Sequence, residues 1–246
     1  MMTMMEEFKC LELVELIRSK DKDYLSDPSN LEKELLPELG FNDEFIQEYP
    51  NHIRKHCGKG LKSWQYPNQF SKYLVHLSKY KIESYLEIGV RHGGTFIITV
   101  EYLNKFHPIK KALAVDINEC PVITEYNKSY NDKSQFWRTN SLLFKFGGFC
   151  NHCDGIDLTM IDGNHEKDVV ISDFENAAKM SRMIAIHDMA NDACPHVKKL
   201  WNDVKNDSSR YNYHEFTDQY SEFKKLKRNY FGMGLLESKV LPVEKI

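Results

Sequence analysis

The residues of this 246-residue chain that could do chemistry sit where apolar runs end. The run Ser84–Thr95, S-Y-L-E-I-G-V-R-H-G-G-T, is the first. Tyr85, Leu86 and Ile88 are strand formers interrupted by Glu87, Gly89 and Gly93 supply a bend, and Thr95 opens a stretch able to continue as a helix. A strand, a glycine turn and a helix start suit a nucleotide-type ligand. The turn admits close backbone approach, and the helix N-terminus offers unpaired N–H groups. The spacing is G-x-x-x-G, not the G-x-G-x-x-G of dinucleotide enzymes. Four more polar clusters follow apolar runs: Asp116 after K-A-L-A-V, Asn140-Ser141 after Ser134–Trp137, Asp162-Gly163-Asn164-His165 after I-D-L-T-M-I, and His187-Asp188 after M-I-A-I. A carboxylate at 116 can accept both hydroxyls of a ribose, or cap a loop.

Positioning these clusters requires alternating strands and helices. Strands are expected at Ile82–Val90, Lys111–Asp116, Ser134–Trp137, Ile156–Ile161 and Met183–Ile186. Helices are expected at Asn68–Lys79 behind Pro67, Thr95–Leu103, Pro121–Tyr130, Asp168–Met180 and His196–Val204. The second of these carries Ile97, Ile98, Thr99 and Val100, weak helix formers, so packing must override propensity there. Gly147-Gly148 breaks the chain. Tyr211–Phe216 and Tyr230–Leu236 read as closing strands joined by a charged loop, Thr217–Asn229. The expected fold is α/β: a Rossmann-like, doubly wound, mostly parallel seven-stranded sheet with an antiparallel edge strand and an N-terminal helical extension. In such sheets ligands bind beyond the carboxyl ends of the strands, where all five clusters fall.

The extension, residues 1–64, precedes a main domain at 65–246. Within it, residues 6–20 show helical spacing, Leu31–Leu39 is a short helix closed by Gly40, Asp43–Tyr49 is a third helix stopped by Pro50, and Cys57–Gly60 is a flexible break. A formal net charge of −3 gives no global basic field for nucleic acid, and Lys224, Lys225, Lys227 and Arg228 read as a solvated face. The six cysteines show no disulfide framework, so reduced thiols in a cytoplasmic protein are expected. No apolar run reaches the ~20 residues that span a bilayer, and residues 1–9 lack the apolar core of a signal peptide, so no membrane partner is expected. A homo-oligomer is left open.

The ordered set E-I-G-V-R-H-G-G-T, A-V-D-I, T-N-S, I-D-G-N-H and I-H-D-M resembles the class I S-adenosylmethionine-dependent methyltransferases, over about residues 65–236. Within that class it looks most like the small-molecule O-methyltransferase branch that includes sugar- and antibiotic-tailoring enzymes. The resemblance implies S-adenosyl-L-methionine as cofactor and a small hydroxylated acceptor, a sugar being one candidate. Glu87, Gly89, Arg91, Gly93 and Thr95 match the loop holding the methionine part, Asp116 the ribose acid, Asn140 and Ser141 the adenine-side loop, and Asp162 the acid ending the fourth strand. In several members acids at the ends of strands four and five hold a divalent cation, which implies Asp162 and Asp188 as ligands of Mg²⁺ or Mn²⁺. His187 stands where the pattern often has a second acid, and Asn164 where some members carry a carboxylate. A histidine there suits Mn²⁺ or Zn²⁺ better than Mg²⁺. His165 and His187 are the candidate general bases for removing the acceptor proton.

Two other function classes compete. A nicotinamide-dependent oxidoreductase would need a pyrophosphate loop, against which the glycine spacing counts. A cofactor-binding module without turnover would be consistent with Asn164 and His187. Cys150-Asn-His-Cys153 has metal-type spacing without a second close pair, so incidental thiols are the expectation.

Overall fold

The structure, a computed structural model, describes residues 8–143, 155–242, 244 and 245. Gly147-Gly148 and Cys150–Cys153 therefore lie outside the described residues. The strands are β1 (Ser84–Ile88), β2 (Lys111–Asp116), β3 (Ser134–Arg138), β4 (Ile156–Ile161), β5 (Ser181–His187), β6 (Tyr211–Phe216) and β7 (Met233–Ser238). They form one sheet in the order β3-β2-β1-β4-β5-β7-β6. Strands β1 to β5 run parallel, and β7 inserts antiparallel between β5 and β6. The antiparallel edge is thus a pair whose inner member is the last strand of the chain. The strand order reverses between β1 and β4, which opens a crevice at their carboxyl ends.

The N-terminal segment carries α1 (Leu13–Ser19), α2 (Lys22–Leu25), α3 (Pro28–Asn30), a π-helical stretch (Leu31–Leu35), α4 (Leu36–Leu39) and α5 (Asn51–Arg54). Leu11, Val14 and Ile17 join Phe96, Val100 and Leu103 in one hydrophobic cluster with the sheet residues Tyr85, Ala112 and Leu158. Arg18 fixes this packing. Its guanidinium grips the buried Glu101 carboxylate at 2.8 and 2.9 Å, and Tyr126 Oη donates to the same carboxylate at 2.6 Å. The expected helix over Asp43–Tyr49 is not formed. Only a 3₁₀ turn, Ile46–Glu48, appears, behind Phe45 at φ 55°. Phe41 and Asn42 donate their backbone N–H to His56 and Ser63, and the Asn42 side chain accepts from Glu44 N at 2.8 Å, so the backbone there is held in a loop. Pro50 caps α5 rather than ending a helix.

In the main body α6 (Pro67–Leu77), α7 (Gly94–Phe106), α8 (Pro121–Ser129), α9 (Lys167–Ala178) and α10 (Pro195–Lys205) cover the sheet. In α7 every residue from Gly94 to Leu103 is buried, and this burial overrides the weak propensity of its β-branched run. On the other face α9 and α10 pack Val170, Phe174, Val197 and Trp201 against Ile161, Ile184, Ile186 and Leu236. The loop expected at Thr217–Asn229 holds a short helix, α11 (Ser221–Lys225), because Phe223 is buried against Tyr66 and Tyr230. Phe231 at φ 55° and Gly232 at φ 104° delay β7 to Met233. No helix among the described residues is long and apolar enough to cross a membrane.

Candidate functional site

A cavity of about 500 Å³ opens over the carboxyl ends of β1, β2, β4 and β5. Of the residues singled out in the sequence, Glu87, Gly89, Arg91, Thr95, Asp116, Asn140, Ser141, Asp162, His165, His187 and Asp188 all line it. Gly93 stands just behind, as the residue capping α7 at φ 85°.

Glu87 is the most unusual group. It is fully buried on β1, and one carboxylate oxygen, Oε2, accepts from Tyr85 Oη. The other, Oε1, has no partner. Burial pushes this carboxyl well above the usual range, and the nearby Asp162 charge adds to the rise. A buried acceptor without a donor is costly unless a ligand supplies one.

Asp116 ends β2, and its carboxylate accepts three backbone N–H groups: Val90 and Arg91 at Oδ2, both at 3.0 Å, and Asn118 at Oδ1, at 2.8 Å. It ties the glycine loop to β2. A carboxylate has about four lone-pair sites, so one is left for a ligand hydroxyl. Arg91, expected to face the ligand, instead sends its guanidinium to Glu44 at 2.8 and 2.9 Å, and His92 reaches the same carboxylate at 3.0 Å. Asn140 accepts from Leu142 N at 3.0 Å and starts a 3₁₀ turn, Ser141–Leu143, beside the exposed Ile117.

The ends of β4 and β5 bring a second constellation together. His187 is 3% exposed. Its Nδ1 lies 2.7 Å from Asp162 Oδ1 and 3.5 Å from Asp188 Oδ2. Burial on its own lowers the imidazole pKa, but the Asp162 and Asp188 charges outweigh it and hold His187 at about 9. Asp162, pushed up by burial and pulled back by His187, also accepts from Gln65 Nε2 at 3.3 Å. The two carboxylates thus favour the protonated form of His187, while its Nε2 is buried without a hydrogen-bond partner. His165, by contrast, is partly exposed, with Nδ1 3.1 Å from Cys194 Sγ. Its Nε2 has no hydrogen-bond partner and stands 3.5 Å from Asp188 Oδ2. Asp188 holds φ 58°, a left-handed conformation rare for a non-glycine residue, and Asn191 Nδ2 donates to it at 2.9 Å.

Asp162, His187 and Asp188 offer one ligand atom each within 4.8 Å of one another. Two carboxylates and an imidazole do not fit Mg²⁺, which asks for a near-octahedral oxygen shell. The same donor set suits Mn²⁺ or Zn²⁺ better.

The His187 arrangement sets a pH dependence. A folded-state pKa of about 9 against the ordinary 6.5 contributes stability that is complete below pH 6.5 and lost as pH rises through 9. Chemical denaturation from pH 6 to 10 is expected to show unfolding free energy falling across that window. His187→Gln should flatten the fall and lower stability at pH 6.5 by about 2–3 kcal/mol, because two buried carboxylates then face each other. An equal slope in the variant would contradict the assignment.

Sequence reasoning missed four contributors. Glu44, Lys62 and Trp64 come from the N-terminal segment to line the cavity. Glu48, from the same segment, is pushed up to about 7 by burial and then by the Asp188 charge. None lies in a periodic pattern, and only the acidic composition around residues 43–48 carried any signal.

No protein-family model and no curated protein matches this chain. Among solved structures it is similar to the O-methyltransferase TomG from Streptomyces achromogenes, involved in tomaymycin synthesis and determined in complex with SAM. Identity is 14%, the match covers 96% of this chain and 99% of that one, and the TM-score is 0.50. A putative RNA methyltransferase from Pyrococcus horikoshii matches at 10% identity over 97% of this chain and 99% of its own, with a TM-score of 0.48. A putative caffeoyl-CoA O-methyltransferase from Staphylococcus aureus matches at 14% identity over 71% and 83%, with a TM-score of 0.47. At such identities the likeness is one of fold, and the fold is the Rossmann-like methyltransferase fold.

Proposed function

We propose that this chain transfers a methyl group from S-adenosyl-L-methionine to a hydroxyl of a small molecule, sugars being the first acceptors to try. The observation that carries the reading is Glu87 Oε1, a buried, unpartnered carboxylate oxygen on the cavity wall. It suits the ammonium of an amino-acid moiety. The residues present fit the rest of the cofactor too: the open lone pair of Asp116 for a ribose hydroxyl, Ile117 and the Asn140-Ser141 turn for an adenine. The wall also carries Glu44, Asp162 and Asp188, facing Lys62, Arg91 and His187. Its one arginine, Arg91, is paired with Glu44.

Bound there, the cofactor supplies a sulfonium methyl open to attack by an oxygen nucleophile. The chain's part is alignment and proton removal. His165, the more exposed of the two histidines, takes the acceptor proton, and Asp188, whose Oδ2 stands 3.5 Å from the buried Nε2, stabilises the imidazolium that forms. His187 keeps Asp162 and Asp188 in place and offsets their charge. Glu44, Lys62 and Trp64 form the side of the cavity supplied by the N-terminal segment, and they choose the acceptor.

The test is a transfer assay with labelled S-adenosylmethionine against a library of hydroxylated small molecules. Turnover is expected, with His165→Ala lowering it ~10²–10⁴-fold while S-adenosylhomocysteine affinity stays within about twofold. Equal turnover in the variant would remove His165 from the chemistry. Cofactor binding with no transfer to any acceptor would leave a binding module, and selective stabilisation by NAD(H) or NADP(H) would overturn the reading.

A further inference from the structure

A second cluster of metal-type donors lies away from the cavity. Glu237 on β7 pairs in register with Met183 near the start of β5, whereas His187, at the cavity, pairs with Met233. The two sites are therefore at opposite ends of the sheet. Three side chains converge on Glu237. His214 Nε2 on β6 lies 2.7 Å from Glu237 Oε1, and His76 Nε2 on α6 lies 3.3 Å from the same oxygen. Tyr80 Oη, just beyond α6, also reaches Oε1 and stands 3.4 Å from His76 Nε2. The His76 and His214 rings are 4.1 Å apart between centroids.

As a hydrogen-bond cluster this is overcommitted. One carboxylate oxygen offers about two lone pairs, yet two imidazoles and a phenol all address it. A metal ion held by the same side chains would resolve this, with the His214–Glu237 pair opening from its 2.7 Å. Zn²⁺ binds imidazole nitrogen at about 2.0–2.1 Å and carboxylate oxygen at about 2.0–2.2 Å, so a tetrahedral shell places neighbouring ligand atoms about 3.3 Å apart. The three ligand atoms of His76, His214 and Glu237 lie within 4.8 Å of one another, with two of the separations at 2.7 and 3.3 Å. His214 is 37% exposed, which gives an ion a route in and leaves room for a water as a further ligand.

We propose that His76, His214 and Glu237 form a binding site for a divalent transition-metal ion, Zn²⁺ foremost, that clamps helix α6 onto the β6–β7 edge of the sheet. Two imidazoles and one carboxylate suit a borderline ion and exclude Mg²⁺ and Ca²⁺, which prefer all-oxygen shells. The clamp is structural. It lies at the far end of the sheet from Glu87 and His165, and it does not depend on the function proposed above.

The experiment uses the full chain and zinc itself. Calorimetric titration should give the wild type one equivalent that His214→Gln and His76→Gln each bind at least 30-fold more weakly, with folding of both variants checked by circular dichroism. Zinc should raise the Tm of the wild type and leave that of H214Q unmoved. X-ray absorption at the zinc edge of the wild-type complex, which needs no variant, should show two imidazoles and no sulfur neighbour. The proposal is overturned if the wild type binds no zinc, if H214Q binds it equally well, or if a sulfur shell at about 2.3 Å appears, which would place the ion with Cys194 and His165 instead.

Discussion

Gly89→Ala is expected to cost about 3–5 kcal/mol of stability, or to retain the fold only by opening the cavity and losing S-adenosylhomocysteine binding. Gly89 sits at φ 85°, where an L side chain is strained. A Cβ there would stand 2.2 Å from the Asp162 carbonyl oxygen and 2.5 Å from the Gly163 Cα. Both are backbone atoms at the end of β4, so nothing flexible can give way. Gly89 N donates to Val115 O at 2.8 Å, and Asp162 N donates to Ile88 O at 2.8 Å. The glycine thus lies where three strand ends are drawn together, and moving it displaces Asp162, which sits opposite His187. Strain of ~1–3 kcal/mol and a backbone clash of comparable size add to the figure given. Gly163→Ala is the control, since its Cβ would meet nothing closer than 3.5 Å. Urea denaturation followed by circular dichroism measures both. A Gly89→Ala protein as stable as wild type and still binding the cofactor product would contradict the account of the loop.

Glu87→Gln is expected to do the opposite to stability and the same to binding. The Glu87 carboxyl is held above its ordinary 4.5 by burial, so folding opposes its ionisation. Its contribution to stability is complete below pH 4.5 and lost as pH rises through the folded-state value, which makes it a liability at neutral pH. The neutral amide keeps an acceptor for Tyr85 Oη and removes that liability. Unfolding free energy at pH 7–8 should rise by about 1–2 kcal/mol, and the gain should vanish below pH 4.5. The amide cannot pair with an ammonium, so affinity for S-adenosylhomocysteine should fall about 100-fold, the scale of losing a buried charged hydrogen bond. A variant that is destabilised, or that binds as tightly as wild type, would show that Glu87 serves the core and not a ligand.

The sequence showed β2 and β4 to the residue, because each is an apolar run with a turn on either side and an acid marking or following its last position. It showed which strand ends would converge, since a parallel sheet leaves little choice. It could not show the partners across the chain. Asp116 was legible as a strand-end acid, but not that the loop's own N–H groups take three of its lone pairs. His187 was legible as a titratable group in the site. Its proton affinity depends on Asp162, 25 positions away, which raises it. Arg91 looked free for a ligand until Glu44, 47 positions earlier, was placed beside it. The N-terminal helices were visible as periodic runs, while the aperiodic stretch between them, which reaches the cavity through Glu44 and Trp64, was not.

Calorimetric titration of the wild-type protein with S-adenosylhomocysteine, with and without Mg²⁺, tests the central claim most directly. The account predicts 1:1 binding at tens of micromolar or tighter, with an affinity that Mg²⁺ leaves unchanged because His187 already stands between Asp162 and Asp188. No heat of binding at those concentrations would contradict the claim that this cavity holds the methyl donor.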